Sequence, residues 1–161
     1  MNFNFNRMIT RYWNLANTLL AKVATFLPDP LLLAIRLYWG WQFFQTGKGK
    51  LLNLDNTTGF FIDLGIPFPK LNAMLAGGTE CFGGLLLLVG LASRLTAVPL
   101  IFTMIVAYLT ADRDKVMGLF DDPDAFVTAA PFLFLLAALI VFTFGPGRFS
   151  VDARIGRQLA V

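Results

Sequence analysis

Four long apolar runs alternate with shorter polar segments along the chain. They cover residues 30–47, 71–92, 95–111 and 125–145. Each has about the 17–25 residues that a helix needs to cross the hydrocarbon core of a bilayer. The pattern predicts an all-α membrane protein whose residues 28–147 form a four-transmembrane-helix bundle. The third run is the shortest, and a re-entrant segment is the alternative interpretation for it.

Residues 1–27 follow a different pattern, in which polar side chains recur every three or four positions. Apolar and aromatic residues fill the positions between them, as in an amphipathic helix. The aromatic side chains suit the headgroup zone, so we expect an N-terminal interfacial helix on the membrane surface. A helix that binds a partner protein or faces the cytosol is the alternative. The polar positions are Arg7, Arg11, Asn14, Thr18, Lys22 and Thr25, and the apolar ones include Phe5, Ile9, Trp13, Leu20 and Phe26.

Composition supports the membrane class. Hydrophobic residues make up 57% of the chain and charged residues only 14%. A typical soluble domain has about 45–50% apolar and about 25% charged residues. A soluble protein of 161 residues could not bury this much apolar surface.

The distribution of charge between the loops predicts the orientation. The side that carries both termini has seven Lys and Arg residues, and the other side has five together with seven acidic residues. Basic residues accumulate on the cytoplasmic side. We therefore expect a multi-pass protein of the bacterial cytoplasmic (inner) membrane with both termini in the cytoplasm. Residues 148–161 would form a basic cytoplasmic tail.

Candidate chemistry is limited by the absence of histidine and by a single cysteine, Cys81. Imidazole-based metal and haem sites are excluded, no metal is expected, and Cys81 cannot form an internal disulfide. Electrons in any redox reaction must therefore reside on a bound small molecule or a partner subunit. The net charge of +3 comes from basic residues at the ends of apolar runs, so it does not indicate nucleic acid.

Two ionisable residues, Arg36 and Glu80, lie inside apolar runs. An ionisable group costs roughly 2.5–3.5 kcal/mol in the centre of a membrane helix on insertion scales, and it is a functional candidate. Glu80 shares one helix face with Gly77 and Gly84, and small residues permit close helix packing. The carboxyl group is therefore expected in the interior of the bundle.

The depths of the polar side chains predict a pocket. At about 1.5 Å per residue, Gln42, Glu80 and Tyr108 lie at similar depths. Arg36 can reach toward Glu80, and Lys50 lies just beyond the predicted end of the first span. We expect these five residues to line one interior ligand-binding pocket, with Glu80 as a candidate proton relay. The alternatives are a structural ion pair between Arg36 and Glu80, or an Arg36 side chain that reaches the headgroups.

Several short motifs, in their order along the chain, resemble the DoxX family of small four-helix membrane proteins. They include an arginine in the first span, a glycine and lysine at its end, a loop with Gly-Ile-Pro, and a glutamate in the second span. The resemblance covers about residues 31–154, and the family is related to the small membrane subunit of thiosulfate:quinone oxidoreductase. It implies an interior Arg36, Lys50 and Glu80, and it does not imply a substrate. The motifs are Ala34-Ile35-Arg36-Leu37, Gly47-x-x-Lys50-Leu51, Leu64-Gly65-Ile66-Pro67, Glu80-Cys81-Phe82-Gly83-Gly84-Leu85, Val89-Gly90-Leu91-x-x-Arg94 and Gly145-Pro146-Gly147-Arg148-Phe149-Ser150-Val151-Asp152.

Three functions are compatible with these features. The first is a membrane subunit that binds a quinone or another lipid-like molecule, held without a covalent bond, for a membrane-associated redox complex. The second is a scaffold or assembly subunit of a larger complex without chemistry of its own. The third is a small-solute transporter. In the first case the chain would be a subunit of a quinone-linked oxidoreductase, with the lipid bilayer and other protein subunits as its partners.

Overall fold

The computed structural model describes the backbone of residues 2–159 and the side chains of residues 10–158. Residue 1 of the predicted surface helix and residues 160–161 of the predicted tail lie outside the described residues. So do the side chains of Phe5, Arg7 and Ile9. The chain is 84% helical and has no strand in its described part, so the predicted all-α class is confirmed.

The described backbone forms nine helices in sequence order. Their bounds are α1 Asn2–Phe26, α2 Pro28–Leu52, α3 Leu54–Asp63, α4 Pro69–Val89, α5 Ser93–Thr110, α6 Arg113–Met117, α7 Pro123–Thr128, α8 Ala130–Phe144 and α9 Val151–Leu159.

Four of these helices pack as a ring. Helix α2 lies on α4, α4 on α5 and α5 on α8, and α8 closes the ring against α2. Each helix contributes to one apolar core, which includes Phe43, Leu87, Leu100 and Val141. We call the end where α2 begins and α4 turns into α5 the terminal end, because the chain leaves α8 there as well. The opposite end, where α2 leads into α3, is the α3 end.

Within the described residues, three stretches are long and apolar enough to cross a membrane: Thr10–Leu52, Pro69–Val89 and Ser93–Thr110. The apolar helix α8 is shorter, with 15 residues. The predicted fourth run is divided at Ala129, whose backbone is extended. Pro131 explains the division, because it has no N–H and its ring would collide with the carbonyl one turn earlier in a continuous helix.

Two other predicted boundaries were wrong. Helix α2 continues past Gly47 to Leu52, so Lys50 lies in its last turn and not beyond its end. The second and third apolar runs leave residues 93–94 between them as the expected turn. The turn between α4 and α5 is instead formed by residues 90–92. Gly90 ends α4 with a left-handed backbone (φ 73°), and its N–H donates to the carbonyl of Leu86 at 2.9 Å.

Glycines set the separation of α2 and α4. A Cβ placed on Gly84 would lie 2.7 Å from the carbonyl oxygen of Gly40. A Cβ on Gly47 would lie 2.6 Å from the carbonyl oxygen of Gly77. Both distances are shorter than non-bonded contacts allow, so the two backbones touch where these glycines face each other. We call Gly40, Gly47, Gly77 and Gly84 the glycine seam.

The remaining helices lie outside the ring. Helix α3 packs on α4 at the α3 end. At the other end of the molecule, every described side chain of α1, from Thr10 to Phe26, is exposed. The N–H of Leu31 donates to the carbonyl of Leu27, and the N–H of Leu27 donates to that of Val23. These hydrogen bonds link α1 directly to α2.

A methyl group on the seam should destabilise the fold. We expect Gly84→Ala to lower stability by about 1–3 kcal/mol, because the added Cβ forces α2 and α4 apart. The midpoint of thermal unfolding in mild detergent measures the effect. Gly78→Ala is the matched control, since a Cβ at this α4 position meets nothing within 4 Å. Equal midpoints for the two variants would contradict the close contact.

Candidate functional site

An ion pair between α2 and α4 is the main polar feature of the bundle interior. The Lys50 ammonium donates to both carboxylate oxygens of Glu80, with 2.6 Å between Nζ and Oε1. The Glu80 side chain is 2% exposed, whereas that of Lys50 is 32% exposed. The carboxylate is therefore enclosed, whereas part of the lysine side chain remains accessible.

The glycine seam places this pair. Lys50 follows Gly47 by less than one helical turn, and Glu80 follows Gly77 by the same spacing. A Cβ on Gly77 would lie 3.3 Å from the Cβ of Lys50, so the lysine stem lies directly against the α4 backbone. The two charges meet because two glycines let the helices approach at this level.

The ion pair borders a cavity of about 770 Å³. The walls come from α2, α3, α4, α5 and α8 together with the loop that joins α3 to α4, and most side chains on them are apolar. Ligand pockets commonly have volumes of about 300–1,000 Å³, mainly apolar walls and a few polar groups. The cavity fits this description, with Lys50 and Glu80 as its charged pair.

Threonines add further polar atoms to the cavity wall. Thr46 donates to the carbonyl of Phe43, and Thr103 donates to that of Pro99, so these hydroxyl hydrogens are already engaged. Thr79 also lines the cavity, and its hydroxyl makes no hydrogen bond within residues 10–158. A ligand beside Lys50 would therefore find a second free donor and acceptor at Thr79.

Arg36 lies at the terminal end and not beside Glu80. Its guanidinium is completely buried, and Nη2 donates to the carbonyl of Phe149 at 2.7 Å. A side chain at Gly90 would collide with it. Nε and Nη1 have no hydrogen-bond partner among the described residues. The expected approach of Arg36 to Glu80 does not occur, because Lys50 occupies the carboxylate and Arg36 lies several turns away along α2.

Residues 145–152 form a strap across the terminal end, and Arg36 lies beneath it. The N–H of Arg148 donates to Asp29 at 2.8 Å. The Asp152 carboxylate accepts from the N–H of Ser93 and from that of the preceding residue. An anion at a helix N-terminus is favourable, so Asp152 caps α5. The arginine of the predicted pocket thus holds the strap in place.

The other two predicted pocket residues are also elsewhere. The Tyr108 hydroxyl donates to the carbonyl of Phe126 at 2.9 Å, and its ring stacks on the Phe126 ring. Gln42 is half-buried on α2. Neither lines the cavity. The structure therefore unites Lys50 and Glu80 and separates them from Arg36, Gln42 and Tyr108, and a ligand-binding role for the five stays a prediction.

The pocket predicted from the sequence did not include Thr46 and Thr79, which line the cavity. Thr46 lies four residues before Lys50, one turn earlier on the same face of α2, so helical spacing could have identified it. Thr79 precedes Glu80 directly, and residues adjacent in a helix point in directions about 100° apart. Thr79 lines the cavity because of the position of α5, and no local sequence pattern predicts that position.

Comparisons with known proteins place the chain in a family. The DoxX family profile matches residues 31–113. An uncharacterized membrane protein of Mycobacterium tuberculosis is 33% identical over 136 residues, which is 80% of this chain and 83% of the relative. An uncharacterized protein of Haemophilus influenzae is 27% identical over 77% of this chain and 82% of its own length.

A third relative carries a functional name. The "Putative oxidoreductase CatD" of Bacillus subtilis is 33% identical over 78 residues, covering 48% of this chain and 57% of the relative. No solved structure matches the chain significantly. The family match covers the helices that carry Arg36, Lys50 and Glu80, and the resemblance inferred from the sequence motifs is confirmed. This chain is a membrane protein and belongs to the DoxX family.

Proposed function

We propose that the protein is a membrane subunit that holds a quinone, or a similar lipid-like molecule, in the cavity beside Lys50 and Glu80. It would serve a membrane-associated redox complex. The observation that carries the proposal is the ion pair that faces an apolar cavity of about 770 Å³. Such a cavity suits a molecule with one polar end and a long apolar remainder.

The charge balance of the site selects the polar end of the ligand. Glu80 neutralises Lys50, so the site has no net charge to attract a phosphate. The ammonium has three N–H donors, of which Glu80 occupies two, and the third can donate to a carbonyl oxygen. A neutral head with carbonyl acceptors, as in a quinone, fits this arrangement better than an anionic lipid head.

The residues of the site suit proton and ligand handling. A quinone, when bound, would accept two electrons and two protons on reduction to the quinol. Lys50 would fix one carbonyl oxygen by hydrogen bonding, and Thr79 would offer a second contact. Glu80, ionised beside Lys50 in the resting site, would take up a proton from outside the cavity and pass it to the reduced ring, and two such cycles would supply both protons. The electrons would come from a partner subunit, and a redox role is in keeping with the relative that is named a putative oxidoreductase.

We further propose four membrane spans. Helices α7 and α8 together cover residues 123–144, which is close to a membrane thickness although α8 alone is short. The seven basic residues on the side that carries both termini favour a cytoplasmic location for both ends in a bacterial inner membrane. Helix α1 would lie on the same leaflet, with its apolar side in the lipid and Arg11 and Lys22 toward the headgroups.

Quinone binding should depend on Lys50. We expect Lys50→Met to weaken binding of a short-tailed quinone roughly tenfold to a hundredfold, because a hydrogen bond to a charged donor contributes about 1.5–3 kcal/mol. Quenching of Trp39 fluorescence reports binding, since its ring lies 5.0 Å from Phe134 on the cavity wall. Trp13 and Trp41 are replaced by Phe in all variants so that one signal remains.

Lys48→Met is the matched control for this experiment, because Lys48 is exposed on the same helix and does not line the cavity. The double variant Lys50→Met with Glu80→Gln removes both charges and avoids an unpaired buried carboxylate. If it folds and binds quinone as tightly as the Lys48 variant does, the proposed site is wrong. Failure of the original chain to bind any quinone would instead favour the scaffold function.

The orientation is tested by labelling single cysteines in a Cys81→Ala background. We expect Lys70→Cys, at the α3 end, to react with a membrane-impermeant maleimide in intact cells. Gln158→Cys, near the C-terminus, should react only after permeabilisation, because basic residues hold the terminal end in the cytoplasm. Both positions are exposed, so differences in reactivity report the side of the membrane. The reverse result would invert the topology.

A further inference from the structure

We propose that the ligand enters the cavity sideways from the bilayer, through an opening between α4 and α5 that Leu75 and Phe102 flank. This inference rests on the proposed function, since it assigns the entry path of the same ligand. The ligand inserts its neutral head first, and its apolar tail stays between the two helices, in contact with lipid.

The way α4 and α5 meet is the first observation. Near the terminal end the two helices touch, because a Cβ on Gly83 would lie 3.1 Å from the Leu100 side chain. Beyond this contact, toward the α3 end, both helices line the cavity. Pro99 lies next to the contact and lacks the N–H of a regular helix, so α5 can change direction there.

Exposure of the cavity wall is the second observation. Leu75 is 57% exposed and Phe102 is 67% exposed, although both line the cavity. A residue that lines the cavity and is also exposed on the outer surface lies at the rim of the cavity. On the far side, the buried side chains of Met104 and Glu80 close the cavity. Part of the rim therefore lies on the outer surface of two membrane-spanning helices, where the surroundings are lipid.

The alternative path runs through the α3 end. Phe61, Leu64 and Ile66 are half-buried and line the cavity there, and Phe60 on the same wall is 52% exposed, so α3 and its loop border this end with apolar groups. Asp112 is the third charged residue of the described wall, and Lys115 holds it at 2.7 Å. A water-soluble ligand would need this polar edge, whereas a membrane-dissolved one would not.

The path constrains the ligand class. A molecule that partitions into the bilayer reaches the rim between Leu75 and Phe102 without crossing water. Its head must shed its hydration to pass two large apolar side chains, which excludes a charged headgroup for the same reason that charges are costly in a membrane. The expected ligand is a neutral, carbonyl-bearing head on a long apolar tail.

Photolabelling of the full-length protein in nanodiscs tests the path. The probe is a benzoquinone with an isoprenoid tail that carries a diazirine near its far end, and mass spectrometry locates the labelled residues. We expect labels around Leu75 and Phe102, lost when excess unlabelled quinone is added. Leu109 is the matched control, because it is 57% exposed on α5 and does not line the cavity.

The outcomes separate the path from the site. Competable labels near Asp112 or on α3, with none at the rim, would overturn lateral entry and leave quinone binding intact. Labels at Leu109 as strong as those at Leu75, with no competition, would mean that the probe samples only the lipid face. That result would overturn the path, and together with absent Trp39 quenching it would also overturn the proposed function.

Discussion

The close contact of α2 and α4 along the glycine seam is the constraint on which the rest of the structure depends. A membrane gives little hydrophobic drive for helix association, so contact between backbones must supply it. Gly47 and Gly77 bring the helices together at the level of Lys50 and Glu80. With larger side chains the ion pair would separate, and each charge would face an apolar interior alone. The same glycines therefore determine both the packing of α2 against α4 and the position of the ion pair.

The two interior cations, Lys50 and Arg36, lie far apart along α2 and make different contacts. Lys50 pairs with Glu80 beside the cavity, and its side chain is partly exposed. Arg36 is enclosed beneath the strap, where it binds the carbonyl of Phe149. The contact with the strap explains why an arginine is buried in this membrane helix, and no ligand is needed to account for it. The ligand site that we propose is the one at Lys50.

The sequence predicted helices well and contacts poorly, for physical reasons. An apolar run shows that a segment must be shielded from water. The helical class and the interior location of Glu80 could therefore be predicted from these runs. Depth along a helix does not specify the direction in which a side chain points. Tyr108 was expected in the pocket, but its hydroxyl donates to the carbonyl of Phe126 instead. The partner of Glu80 was misassigned because α2 extends further than its apolar run.

The central claim is that the Lys50–Glu80 pair holds a neutral, lipid-like molecule in the membrane. Native mass spectrometry of the protein released from mild detergent, with identification of the retained small molecules, tests it most directly. The account predicts that a neutral molecule with a carbonyl head and a long apolar tail remains bound to the original chain and to Lys48→Met. It predicts loss of that molecule from the Lys50→Met, Glu80→Gln double variant. Retention of anionic phospholipid alone, or equal retention by all three proteins, would contradict it.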